Sequence, residues 1–405
     1  MRIGLFNLSS VLHNQEYIDQ SLKDFIPSIE EKLGKRIEEI EIKKFSHKEY
    51  LPLIFIKTGG VEGKFKSLFS EIKGPFLLLA SSRHNSLAAS LEIATFLRQK
   101  GERAEIIHGD SDYIAKRIKE IEKFFQVKNK LDSTRLGVIG HPSDWLISSE
   151  VNYGRIKKIL GVSLIDIKME ELFKEIKEEN HFIPPKLKLI KDQDFNPSSI
   201  QRALKIYTSL KSLIERFKLS GLTIRCFDLI ENFQDTACLA LALLNDEGII
   251  AGCEGDIPAL LSMLLLNYLT HEPVFMANPS SIDISRNTVT FAHCTLPLQM
   301  AEKFSLNTHF ESGLGVGVRG IIQEGRGTIF KLSAKGEKYF ISGGEIVENL
   351  NSPDLCRTQI KFRLDERVDY FLKNSLGNHH LISKGDYSKL VIEFFFWSGM
   401  NIQRV

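Results

Sequence analysis

Apolar and polar positions in residues 1–130 switch between two periods. Residues 2–7 are a short apolar run that can open a buried strand. Residues 16–33 place Tyr17, Ile18, Leu22, Phe25, Ile26, Ile29 and Leu33 at helical spacing, which predicts an amphipathic helix. In 39–43, Ile40 and Ile42 alternate with charged residues, as in a strand. PFLLLA at 75–80 is the unbroken apolar run of a parallel strand buried on both faces. A helix over 86–99, a strand over 104–108 and a helix over 113–125 follow. Strands alternating with helices predict βαβ units and a parallel, doubly wound sheet.

The charged stretch 128–135 reads as a boundary, and the pattern then restarts. Strands are predicted at 135–140, 162–167, 222–226, 249–253 and 274–277. Helices are predicted at 152–160, 169–177, 198–218, 236–245 and 259–269, with 178–196 as a connection. After about Asn287 the helical period stops. Alternating runs at 288–292, 327–332, 338–341, 359–364 and 391–396, separated by Gly-rich turns, predict an antiparallel barrel or sandwich. The expected domains are therefore 1–132 (α/β), 133–286 (α/β) and 287–405 (mostly antiparallel β).

Composition narrows the class. The chain has 405 residues, 43% hydrophobic and 26% charged, which is ordinary globular usage. Lys+Arg 53 against Asp+Glu 51 leaves a net charge of +2, so there is no global field to attract nucleic acid or a membrane surface. The longest apolar stretches, at 237–244 and 257–266, are too short for a membrane span. MRIGLFNLSS turns polar too early to match a signal peptide, so the expected setting is cytoplasmic. Five cysteines without a CxxC argue against a disulfide framework or a structural zinc module.

The densest candidate chemistry runs from Arg225 to Thr295. Ligands of open α/β sheets bind beyond the carboxyl ends of the strands. Arg225 and Asp228, then Glu254 and Asp256, then Asn278, follow three predicted strands in turn. Asp256 also suits a helix N-cap, with Pro258 in the first turn. Glu254 is a poor cap, and it is flanked by the small residues Gly252, Cys253 and Gly255. His293 ends an apolar run, and His379 and His380 precede another. A lone strand histidine is most often structural. Carboxylate with imidazole nonetheless suits Mn²⁺, Fe²⁺, Co²⁺ or Zn²⁺. GVGVRG at 315–320 matches a dinucleotide fingerprint only in letters, since β pattern surrounds it. Cys294 and His293 are adjacent and so expected to face apart. Cys226, Cys238 and Cys253 read as small core residues.

Several motifs, in order, resemble the L-fucose isomerase and L-arabinose isomerase superfamily, especially its shorter fucose-isomerase-like branch. They are ASSRHNSLAASLEI, GHPSDWLI, GCEGDIPALLSM, FAHCT, HFESGLGVGVRG, CRTQ and GNHHLISKGDY, and they cover roughly residues 75–405. The resemblance implies two Rossmann-like α/β domains followed by a C-terminal β-barrel-like domain. It implies aldose–ketose isomerisation of a pentose, hexose or deoxyhexose with a divalent metal, usually Mn²⁺. Proton transfer would then pass through an enediol, with Glu254 as metal ligand and base and with His293 and His380 as imidazole ligands. It also implies a homo-oligomer, a hexamer being the assembly considered. In such an assembly a neighbour's N-terminal domain completes the cleft, which makes His84, Asn85 and Trp145 candidate substrate contacts. His379, Arg225 and Glu311 are further substrate candidates. Asn85 with Ser86 also suits a helix cap, and Trp145 also suits plain packing.

One departure matters. Where the family carries a second acid, this chain reads FMANPSS, with Asn278 in its place. An amide oxygen can ligate a metal but cannot act as a base. Asp228, Asp256 and Glu311 are the acids that could substitute. The alternative is a divergent relative that binds a sugar or sugar derivative without turning it over.

Overall fold

The computed structural model describes residues 1–12, 14–42, 49–178, 182–184 and 186–405. The chain groups into two compact units, Met1–Lys130 with Glu393–Met400, and Leu131–Ile392 with Asn401–Val405.

The first unit holds a parallel sheet of β1 (Arg2–Leu8), β2 (Ile37–Glu39), β3 (Tyr50–Ile56), β4 (Phe76–Ala80) and β5 (Ala104–Ile107), in the order β2-β1-β3-β4-β5. The central strand, β3, is buried at every position, yet the hydrophobic pattern did not single it out. It contains Pro52, a residue that ordinarily argues against an interior strand. The expected strand 39–43 is replaced by β2, three residues long and shifted toward the N-terminus; Lys43 lies outside the described residues. The expected helix over 16–33 is two helices, Gln15–Leu22 and Phe25–Leu33. Pro27 sits in the first turn of the second, where no N–H is needed.

The polar stretch 128–135 is largely helical, because the helix Ser111–Ser133 runs through it, and the division between the two units falls within it, after Lys130. Residues 391–396 are not a strand but part of the helix Ser388–Trp397. Val391, Phe394, Phe395 and Ser398 are all buried, at helical spacing. The Arg103 guanidinium donates to the carbonyls of Phe395 (2.6 Å), Phe396 (2.9 Å) and Met400 (3.2 Å) and so satisfies the chain at that helix's end.

The second unit combines a parallel sheet, an antiparallel barrel and a separate two-stranded hairpin. β6 (Arg135–Ile139), β7 (Ser163–Ile167), β8 (Gly221–Ile224) and β9 (Ile250–Gly252) form a parallel sheet ordered β7-β6-β8-β9. β10 (Phe275–Asp283) and β11 (Thr288–His293) come next, then the hairpin β12 (Ala301–Asn307) and β13 (Gly317–Ile322). β14 (Gly325–Leu332), β15 (Lys338–Asn349), β16 (Thr358–Leu364), β17 (His380–Lys384) and the short β18 (Gln403–Arg404) complete the chain. Six strands run β14-β17-β10-β11-β16-β15, and β15 pairs back onto β14, so the antiparallel barrel is closed. GVGVRG leads into β13, as turn and strand rather than a nucleotide loop.

The expected strand 274–277 is the start of β10, and it belongs to the barrel rather than to the parallel sheet. It pairs antiparallel with both β11 and β17. Its hairpin turn is set by Asp283, whose Oδ1 accepts the Arg286 N–H at 3.0 Å, and by Asn287 with φ 54°. Asn278 therefore reaches the site from the barrel side.

The helix Ile257–Thr270 links the two sheets. All but three of its residues are buried. The Ser262 hydroxyl, itself donating to Pro258 O, accepts the N–H of Leu332 at 2.8 Å, which fixes this helix on barrel strand β14. Gly327 and Gly344 face each other across the closing pair β14–β15, and the Phe362 ring fills the space both leave. No helix among the described residues is long and apolar enough to cross a membrane.

A methyl group at position 344 would overlap the Phe362 ring and the Arg363 carbonyl. Gly344→Ala should therefore lower stability by about 1–3 kcal/mol through overpacking. A fall in the urea midpoint at unchanged m checks this.

Candidate active site

Glu254 sits in the turn from β9 to the helix Ile257–Thr270, with φ 58°, and Gly255 follows at φ 69°. Two successive left-handed residues bend the chain sharply, and such strain in a non-Gly residue persists only where its surroundings enforce it. The Glu254 carbonyl accepts the Ser143 N–H at 2.9 Å, and the Gly255 N–H donates to Ile224 O at 2.8 Å. A Cβ on Gly255 would lie 2.5 Å from His141 O, so the loop after β6 requires glycine there.

That loop is held by Arg225. Its guanidinium donates to both oxygens of Asp144 (3.0 and 2.8 Å), to Pro142 O (3.0 Å) and to Asp228 (2.9 Å). Arg225 and Asp228 are thus engaged with each other and with the loop, and neither lines the pocket described below. The clamp sets Trp145, half exposed, whose indole N–H donates to Glu254 Oε2 at 2.6 Å. The ring stands edge-on to Phe227, centroids 4.7 Å apart.

The imidazole beside Glu254 is that of His379, not the expected His380. His379 is fully buried; its Nδ1–H donates to Asp256 Oδ2 at 2.9 Å, and Nε2 lies 3.6 Å from Glu254 Oε1. Burial alone would drain its proton, but hydrogen bonding and the charges of Asp256 and Glu254 outweigh it and raise its pKa to about 9. Burial would raise Glu254; the charges of His379 and His293 and the Trp145 hydrogen bond instead hold it down at about 2. His380 turns away from the site. Its Nδ1–H donates to Asn378 O (2.9 Å), and Nε2 accepts from the Tyr370 hydroxyl (3.0 Å) among Phe291, Phe340 and Phe371. Burial, with the Lys331 charge, lowers it to about 3. Successive residues entering β17 face opposite ways, which separates the two imidazoles.

Asp256 does what its pattern suggests and more. Oδ1 accepts the Ala259 N–H at 2.8 Å as a helix cap, and Oδ2 serves His379. The ammonium of Lys331, on β14, lies 3.6 Å from Oδ2, with both side chains about 1% exposed. Asp256 is thus sealed behind the site and out of reach of a ligand.

Glu254, His293, Asn278 and Glu311 line one pocket. His293 is buried, its Nδ1 is 3.0 Å from Thr295 Oγ1, and burial first, then the His379 charge, lowers it to about 4, so it is neutral. Asn278 Oδ1 is buried without a hydrogen-bond partner. The sequence reading missed the thiols. All five cysteines, Cys226, Cys238, Cys253, Cys294 and Cys356, line this same pocket. Cys294 joins His293 there, because β11 ends at His293 and strand alternation no longer separates them. Phe227 and His309, ring centroids 5.6 Å apart, supply an aromatic edge that the sequence reading also missed. His84 and Asn85 lie in the first unit. His84 Nε2 is 2.6 Å from Ser21 Oγ, and Asn85, with φ 56°, precedes the helix Ser86–Gln99 without a side-chain cap bond.

Removing Asp256 strips Lys331 of its buried counter-charge as well as the helix of its cap. Asp256→Ala should cost about 3–5 kcal/mol, the scale of a broken buried ion pair. Lys331→Met leaves Asp256 with His379 and should cost clearly less. Denaturant unfolding of both variants checks the ranking.

No family model matches the chain. Among curated proteins, it is 25% identical over 222 residues to sulfoquinovose isomerase of Clostridium sp. (strain MSTE9), covering 52% of this chain and 50% of that protein. It is 24% identical over 220 residues to sulfoquinovose isomerase of Alkalicoccus urumqiensis, covering 52% and 49%. It is 25% identical over 221 residues to sulfoquinovose isomerase of Priestia aryabhattai, covering 52% and 50%. The chain spans about half the length of the curated relatives it matches.

Proposed function

We propose that the chain is a metal-dependent aldose–ketose isomerase that acts on a sugar. The observation that carries this reading is the single pocket lined by two carboxylates, Glu254 and Glu311, with the neutral imidazole of His293 and the unpartnered amide oxygen of Asn278. The relatives named sulfoquinovose isomerase support it.

A divalent cation fits these donors. Glu254 and His293 offer an oxygen and a nitrogen within 4.8 Å of one another, and Asn278 Oδ1 is a buried acceptor lacking any donor. Mn²⁺ is the ion the family resemblance implies, and carboxylate, amide and imidazole donors accept it. When bound, such an ion supplies charge stabilisation to an enediolate. Glu254 is held ionised and oriented by Trp145 and His379, which suits a ligand better than a base, because a base works best with a pKa near the working pH. Glu311 is then the carboxylate that takes the C2 proton of the open-chain aldose and, after exchange with solvent, delivers a proton to C1 while the hydroxyl proton passes from O2 to O1, the part that Asn278 cannot play.

No Lys or Arg lines the pocket among the described residues, and Arg225 is committed to Asp144 and Asp228. With two carboxylates offsetting the charge of a bound divalent cation and no side-chain cation left over, the pocket favours an uncharged sugar over an anionic one. We further infer a homo-oligomer in which a neighbour's His84 and Asn85 approach the sugar. Asn278 in place of an acid also supports the second reading, sugar binding without turnover.

Purified protein with added Mn²⁺ should convert at least one neutral pentose, hexose or deoxyhexose to its ketose, and faster than it converts sulfoquinovose. Glu311→Gln should lower kcat by about 10²-fold or more, the usual scale of lost acid–base catalysis, at unchanged metal content. Glu254→Gln should lose metal and activity together. Saturable sugar binding with no ketose from any sugar would favour the second reading.

A further inference from the structure

The cysteines are the feature that the isomerase reading leaves unused. Five of them, drawn from residues 226–356, converge on one pocket. They fall into two groups. Cys294 has Cys238 and Cys356 as its thiol neighbours. Cys226 Sγ lies 3.2 Å from Cys253 Sγ. Cys253 is singled out by its neighbours. Its Sγ, a Glu254 oxygen and a His293 nitrogen all lie within 4.8 Å of one another, the separation of atoms that can share one ion. Among the described residues, this is the one such trio.

Each member is set by the fold. Cys253 and Glu254 are consecutive at the end of β9, where the left-handed turn at Glu254 and Gly255 carries the chain away. His293 closes β11 on the barrel side, and Thr295 occupies its Nδ1, leaving Nε2 as the donor nitrogen. The ion would thus be held from the parallel sheet and the barrel together.

We propose, resting on the metal-site reading above, that Cys253 is a third protein ligand beside Glu254 and His293, so that the site takes a thiophilic divalent cation, Zn²⁺ or Co²⁺, in preference to Mn²⁺. Cys253, Glu254 and His293, with the Asn278 amide oxygen as a fourth donor, leave a fifth position for a sugar oxygen, since catalytic zinc sites can expand to five-coordinate. Thiolate is a soft donor that Mn²⁺ accepts poorly, whereas an all-oxygen and imidazole set would not discriminate against it. Binding releases the Cys253 thiol proton to solvent, and the sulfur lone pair forms the new coordinate bond. Cys226, 3.2 Å away, then donates its S–H toward the bound thiolate.

The test is Co²⁺ titration of the full chain, read by absorption. The wild type should show cobalt d–d bands in the visible and an intense sulfur-to-cobalt charge-transfer band in the near ultraviolet. Cys253→Ser and Cys253→Ala should keep the visible bands and lose the near-ultraviolet one, whereas Cys226→Ser should keep both. In Zn²⁺/Mn²⁺ competition read by elemental analysis, Cys253→Ser should erode the preference for zinc by at least about tenfold, the scale on which metal-site partners act. Visible bands without a charge-transfer band in the wild type overturn the thiolate ligand and leave the isomerase metal site standing. A charge-transfer band that survives in Cys253→Ser and vanishes in Cys226→Ser overturns the choice of cysteine. No cobalt bound at all overturns this proposal together with the metal-site reading.

Discussion

The second unit depends on one buried ionic chain, Lys331 to Asp256 to His379 to Glu254. Its members come from a barrel strand, a helix cap, the approach to a second barrel strand and the end of a parallel strand. Each buried charge is stabilised by the next, and Asp256, which faces both Lys331 and His379, is the costliest to remove. Asp256 is the centre. One oxygen starts the helix Ile257–Thr270, and the other holds the imidazole that faces Glu254. The same carboxylate thus fixes a helix against the barrel and the orientation of the residue at the front of the pocket.

This arrangement divides labour among the acids. Asp256 is fully engaged and sealed, Asp228 is tied to Arg225, and Glu254 is held by Trp145 and His379. Glu311 remains at the pocket, which is why the proposed reaction gives it the proton transfer. Asn278 can then serve as an oxygen donor without the reaction lacking a base.

Much of this was legible in the sequence, and the losses have physical causes. The restart of the βαβ pattern and the change of texture near Asn287 identified the parallel sheets and the barrel. The strand with Asn278 was placed in the wrong sheet because PVFMAN reads alike in a parallel core strand and in a barrel strand; partners decide that, and partners are not local. β3 was passed over although it is the central strand, with Pro52 inside it. Residues 391–396 looked like a strand by composition, and burial at helical spacing made them a helix. Glu254 stood out because small residues flank it. His379 and His380 could not be told apart before strand register was known. The cysteines gave a weaker signal still, since each alone looks like a core residue and their convergence exists only in three dimensions.

The central claim is that this pocket moves a proton between adjacent sugar carbons by way of a carboxylate. Isomerisation run in D₂O, with the ketose product examined by ¹H NMR, tests it most directly. The account predicts deuterium at C1 of the ketose, with its incorporation slowed in Glu311→Gln. A ketose formed at the wild-type rate with the original C2 hydrogen fully retained at C1 would contradict it.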